Sequence, residues 1–116
     1  MRRIFKGDIY YVDFNKAFGS EQGGDRPAII LQNNIGNKYS PTTIVAPLTR
    51  KILKQNTHVF LPASDEIKYD STILLEQIRV VDKKRLQNFL GKISSEKRQE
   101  VDRAICNTFN IKKGEM

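Results

Sequence analysis

Four side chains at expected strand ends and in a loop are of types suited to holding an anionic oxygen: Arg26, Thr49, Arg50 and Ser20. Arg26 closes the stretch Ser20-Glu21-Gln22-Gly23-Gly24-Asp25-Arg26-Pro27 and is followed at once by the apolar run Ala28-Ile29-Ile30-Leu31. Adjacent glycines make a loop whose backbone turns freely and comes close to other molecules. A guanidinium where such a loop meets a rigid strand is a permanently charged, fork-shaped donor held at a defined point. A surface arginine that meets only water fits the same composition. Thr49 stands just past Pro47-Leu48, where a strand gives way to a loop, and Arg50 follows it. Its hydroxyl suits a turn as well as a ligand. Arg26 and Thr49 converge if their strands are neighbours in a sheet.

The sequence offers these residues few rivals. A single cysteine, Cys106, excludes an intramolecular disulfide and any cysteine-rich metal site. It falls on the apolar face of an expected helix, which suits a small buried side chain. No His/Cys/Asp/Glu cluster has metal-ligand spacing, and Gly23-Gly24 lacks the downstream Gly-Lys-Ser/Thr of a nucleotide phosphate loop. His58, the only histidine, sits in an alternating strand and reads as a partly exposed strand residue. One histidine cannot be both acid and base, so a two-histidine mechanism is excluded.

At 116 residues the chain has the length of one domain, 1–116. Its net charge of +7 points towards a polyanionic partner. Residues 1–60 carry nine basic and four acidic side chains, so the Arg26 loop lies in the more basic half. No apolar run approaches the roughly 20 residues that span a membrane. The basic N-terminus has no apolar signal region after it, and a cytoplasmic protein is expected.

The elements that must position the donors are mostly strands. Ile9–Phe14, Ala28–Leu31, Thr43–Leu48 and Thr57–Leu61 are rich in β-branched and aromatic residues. A longer fifth strand is expected from Thr72 through Val81. Pro47 places part of the third strand at an edge or bulge. Asn33–Asn37 carries turn chemistry. A brief helical turn over Lys83–Arg85 precedes a strand over 86–93. Ser94 or Ser95 caps a final helix, in which Val101, Ala104, Ile105, Thr108 and Phe109 form one apolar face. These elements predict a mainly β (α+β) domain, a small barrel closed by a C-terminal helix.

Five blocks in order carry a resemblance. They are Lys6–Tyr10, Gly19–Pro27, Gln32–Asn37, Ser40–Thr49 and Leu75–Arg79, spread over essentially the whole chain. With them the chain resembles the MazF/PemK family of toxin–antitoxin ribonucleases, of the Gram-positive type. The resemblance implies an SH3-like barrel of the CcdB/PemK type, a homodimer, a MazE-like antitoxin partner and sequence-specific cleavage of single-stranded RNA without a metal or other cofactor. The family's catalytic arginine, threonine and supporting serine fall on Arg26, Thr49 and Ser20. The loop over 15–25 becomes a mobile flap over the RNA, and Phe18, Gln22, Gly23, Gly24 and Asn37 become substrate-binding candidates, with Glu76 and Gln77 from the long strand. For Phe18 a hydrophobic anchor for the loop is an equal alternative. For Glu76 a salt bridge with Arg79 or Lys84 competes.

The reaction implied is attack of a ribose 2′-hydroxyl on its own 3′-phosphate, leaving a 2′,3′-cyclic phosphate and a 5′-hydroxyl. The family gives the arginine an acid–base role. Arginine releases its proton only above about pH 12, so Arg26 is better suited to clamp the transition state and to donate to the leaving oxygen. Two other functions compete. A gyrase-poisoning toxin of the CcdB type grips its target through a C-terminal tail with a tryptophan, whereas this chain has none and ends Lys112-Lys113-Gly114-Glu115-Met116. An RNA-binding barrel without catalysis would use Arg26 only as a phosphate contact.

Overall fold

The computed structural model describes residues 3–15 and 18–112. Seven strands carry the fold: β1 (Asp8–Asp13), β2 (Asp25–Ile30), β3 (Thr42–Thr49), β4 (His58–Leu61), β5 (Ser71–Leu74), β6 (Arg79–Asp82) and β7 (Leu86–Lys92). A short helix α1 (Asn34–Tyr39) joins β2 to β3, and α2 (Ser95–Phe109) follows β7. The hydrogen-bonded order is β4-β5-β3-β2-β1-β7, with β6 paired to β3 as well. The path does not return on itself among the described residues, so the expected barrel is barrel-like but open. No helix among those residues is long and apolar enough to cross a membrane.

β3 changes partner along its length. Thr42–Val45 pair with β6, while Leu48 and Thr49 pair with β5. Pro47 falls in the gap between the two partners, while on the other side it faces Ala28 of β2. Its missing N–H therefore interrupts no ladder on the switching side. That is the reason a proline sits in a central strand rather than at an edge or bulge.

Both faces of the sheet are covered, which explains apolar runs without alternation. Ile9, Ile29, Ala46 and Leu48 point into one core with Ile73, Val101 and Ala104. Tyr10, Val12, Ala28, Ile30 and Val45 point into the other with Phe14 and Leu86. The helix that closes the first core is capped by Ser94, whose hydroxyl accepts from the Lys97 N–H. Only the first part of its apolar face is buried. Phe109 is exposed, and Cys106 is half-buried rather than fully inside.

Two expected elements differ. The Asn33–Asn37 turn is a helix start: the Asn33 carboxamide accepts from Gly36 N–H at 2.8 Å and caps α1. The expected long strand over 72–81 is broken into β5, a 3₁₀ turn over Leu75–Gln77 and β6. The break lets the chain leave the Leu48–Thr49 end of β3 and rejoin the same strand nearer its start. The helical turn over Lys83–Arg85 and the strand after it form as expected.

Candidate active site

β2 and β3 are adjacent and antiparallel, with Ala28 opposite Pro47 and Ile29 opposite Ala46. The same register continued by two residues sets Arg26 opposite Thr49, on one face of the sheet. The Arg26 guanidinium reaches across this pair of strands: its Nη1 donates to Leu48 O at 3.3 Å and its Nε to Gly23 O at 3.1 Å. One end of the fork is thus tied to its own loop and another to β3. Both N–H groups of Nη2 and one of Nη1 have no acceptor among the described residues. The strand pairing and two carbonyls hold a cation in place before any substrate arrives, the preorganised arrangement that stabilises developing negative charge.

Thr49 ends β3 and is 7% exposed. Its Oγ1 accepts from Lys51 N–H at 3.3 Å, so its own hydrogen is left to donate. The turn and ligand readings of this hydroxyl are therefore compatible. Thr72, opposite Thr49 in β5 and fully buried, organises the same corner. Its hydroxyl donates to Lys51 O at 2.8 Å and accepts from Leu53 N–H at 3.3 Å. Sequence reading missed Thr72, because a threonine in a β-branched strand carries no mark of the loop it fixes.

The Gly-rich loop is closed at its neck. Phe14 N–H donates to Gly24 O at 3.0 Å, and Gly24 N–H to Asn15 O at 2.7 Å. Residues 16–17 of the expected 15–25 flap lie outside the described residues. Gly24 holds φ +70, and a Cβ there would meet nothing within 4 Å. The requirement for glycine is thus entirely backbone. Gly24→Ala is expected to cost about 1–2 kcal/mol, and Gly24→Asn less, as urea unfolding midpoints would reveal; equal midpoints for Gly24→Ala and the parent would contradict it.

Gln77 holds the far side of the loop. Its Oε1 accepts from Gln22 N–H at 2.8 Å and its Nε2 donates to Ser20 O at 3.4 Å. Between loop and 3₁₀ turn lies a groove of about 490 Å³, walled by Ser20, Glu21, Gln22, Pro47, Glu76, Gln77, Ile78 and Arg79. Ser20, Gln22, Glu76 and Gln77 thus line one groove, and Glu76 and Gln77 come from the turn and not from a strand. Phe18 is 86% exposed at the loop tip. It is no hydrophobic anchor, and its ring is open to stacking.

Asn37 is a correction. It is 2% exposed, and its side chain bonds within the fold. Its Nδ2 donates to Gln32 O at 2.8 Å, while its Oδ1 accepts from Thr43 Oγ1 at 2.8 Å and from Gln32 Nε2 at 3.2 Å. The Lys83 ammonium donates to its backbone oxygen. Three of the four hydrogen-bonding directions of this buried carboxamide are thus taken by protein, and it does not line the groove.

Glu76 pairs with neither Arg79 nor Lys84. Its Oε2 meets His58 Nε2 at 2.5 Å and accepts from Thr57 Oγ1 at 3.2 Å. The His58 side chain is only 4% exposed, so its imidazole is buried although the residue lies at the start of an outer strand. Arg79 instead lies 5.1 Å from the centre of the Phe14 ring. Of the other matching blocks, Lys6-Gly7-Asp8 serves the fold: Gly7 N–H donates to Ile30 O at 2.8 Å, and Asp8 accepts from Phe5 N–H at 2.9 Å. Among the described residues no group of three or more His, Cys, Asp or Glu side chains could hold a metal ion.

An open, barrel-like sheet with a helix behind it is the fold of the MazF proteins. MazF from Deinococcus radiodurans superposes with a TM-score of 0.82 at 22% identity, over 95% of this chain and 99% of that one. A mycobacterial endoribonuclease in complex with its cognate antitoxin gives 0.78 at 20% identity, over 94% and 97%. The chain belongs to the PemK-like, MazF-like toxins of type II toxin–antitoxin systems, whose family model matches residues 5–109. The endoribonuclease MazF of Staphylococcus saprophyticus is 50% identical over 103 residues, which span 86% of each protein. This membership sets aside the gyrase-binding alternative.

Proposed function

We propose that this chain is a toxin endoribonuclease that cuts single-stranded RNA at specific sequences and thereby blocks translation and growth. The observation that carries the reading is the guanidinium of Arg26, tied to Gly23 O and Leu48 O at the end of β2, with the rest of its fork uncommitted. In the reaction the ribose 2′-oxygen attacks the adjacent phosphorus. The O2′–P bond forms, the P–O5′ bond breaks, O2′ gives up its proton and O5′ gains one. Charge builds on the non-bridging oxygens, where the open N–H groups of Arg26 and the hydroxyl hydrogen of Thr49 can donate. Arginine stays protonated at any cellular pH, so Arg26 acts as clamp and as hydrogen-bond donor to the leaving oxygen, with Ser20 supporting from the loop. The proton lost by O2′ passes to solvent and the one gained by O5′ comes from it.

Specificity comes from unstacked bases read on their edges. Phe18 offers a ring for stacking, and Gln22, Gly23 and Gly24 line the loop above. The groove carries the carboxylates of Glu21 and Glu76 beside Arg79. Carboxylates repel phosphate but accept from the exocyclic amino groups of bases, which suits this groove to bases rather than to backbone. The protein works in the cytoplasm as a homodimer, and an acidic MazE-like antitoxin covers the RNA groove to silence it. The net charge of +7 supports both an RNA and an acidic protein partner.

The test is incubation of the purified protein with a long RNA in chelator, followed by mapping of the ends. Discrete cuts bearing 2′,3′-cyclic phosphate and 5′-hydroxyl ends, absent with Arg26→Ala, are expected. Binding without cuts in any buffer would instead make the protein a non-catalytic RNA-binding barrel.

A further inference from the structure

We propose that the cleft on the other side of Arg26 and Thr49 from the groove is a second nucleobase subsite, which receives a nucleotide flanking the scissile phosphate. This rests on the ribonuclease reading and extends it. Side chains alternate across a strand, so Pro27, next to Arg26 and opposite Tyr11 in β1, points to the opposite face of the sheet. There Pro27 and Tyr11 line a cleft of about 420 Å³ together with Thr49, Arg50 and Tyr69. β2 starts at Asp25 and β3 ends at Thr49. The scissile position therefore lies at the end of these strands, where a bound chain can pass over to the other face.

The lining matches a base. The guanidinium carbon of Arg50 lies 3.6 Å from the centre of the Tyr69 ring. Tyr69 is itself 51% exposed, and its backbone carbonyl accepts from the buried Ser71 hydroxyl at 2.9 Å. The stacked pair is thus a flat platform already assembled, with positive charge on it. Tyr11, 37% exposed, adds a second ring to the lining. Lys68 adds a cation, against the single acid Glu66. Exposed aromatic faces interleaved with cations are what single-stranded nucleic acid binds, because every base has a face to stack and every link a phosphate to neutralise. An apolar peptide would need neither the stacked guanidinium nor the cations.

The experiment uses the full chain and RNA oligonucleotides spanning one mapped cleavage site, with an abasic residue placed in turn at each flanking position. Cleavage gives KM and kcat; copies with 2′-deoxyribose at the scissile nucleotide give Kd without turnover. In the parent protein, removing one particular flanking base should raise KM and Kd roughly tenfold to a hundredfold, with kcat little changed. In Tyr69→Leu, and separately in Arg50→Gln, the intact RNA should bind that much more weakly, and the abasic change should then have no further effect. Thermal melts of each variant check folding, and Tyr11→Leu provides a third probe of the same cleft. Additive losses, or unchanged KM in all three variants, overturn the proposal. Unchanged RNA binding with weakened antitoxin binding also overturns it and assigns the cleft to the protein partner. Failure of the ribonuclease reading is separately visible, since the parent would then bind the 2′-deoxy oligonucleotide but cut none of the others.

Discussion

Lysine in place of Arg26 is expected to lower kcat by about a hundredfold to a thousandfold, while RNA affinity changes by no more than about threefold. The charge survives this substitution but the fork does not. Arg26 spends one donor on Gly23 O and another on Leu48 O, and it is this division that holds its remaining donors in place. An ammonium has three donors on a flexible stem and cannot span two fixed carbonyls while also presenting a flat pair of N–H groups. The lost interactions are those formed with charge that exists only in the transition state, so the effect belongs in kcat and not in KM. Single-turnover cleavage with a fluorescent oligonucleotide measures it. A variant that cuts at near the parental rate would mean that Arg26 supplies charge alone.

The second large effect falls on stability. Asn37→Ala is expected to cost about 2–4 kcal/mol, a fall of roughly 10–20 °C in melting temperature for a domain of this size. Truncation leaves Gln32 O and the Thr43 hydroxyl without the partners that Asn37 gives them. Thr43 is itself fully buried, so water cannot readily replace what is lost. The α1 segment and the start of β3 are cross-linked through this one carboxamide. Scanning calorimetry measures the change. Once the variant is folded, RNA sequence preference should be that of the parent; an altered preference at full stability would restore Asn37 as a base reader.

Asn37 also marks the limit of what sequence discloses. A carboxamide can hydrogen-bond a base or a neighbouring backbone with the same atoms. Which it does depends on the return of β3 beside α1, which brings the Thr43 hydroxyl to its Oδ1, and no spacing in the sequence announces that approach. The convergence of Arg26 and Thr49 was legible because apolar runs flank both, and the pairing of β2 with β3 then fixes their register. The break at Leu75–Gln77 was not, since β-branched residues on both sides make a continuous strand pattern. Tertiary structure interrupts it where β3 changes partner. Ser94 announced its helix by cap chemistry, whereas Asn33 carries a signal shared by turns and helix starts. Phe109 fits the helical period, yet the last turn of α2 lies beyond the core that buries Val101 and Ala104.

Gln77 grips the loop through backbone atoms alone, the N–H of Gln22 and the carbonyl of Ser20. These atoms exist whatever side chains the loop carries. The latch and the proposed base-reading side chains are therefore chemically separate parts: on that proposal, residues 18 and 22 can be exchanged while the same amide holds the loop backbone. A family of cutters with different target sequences can be built on this latch without redesigning its closure.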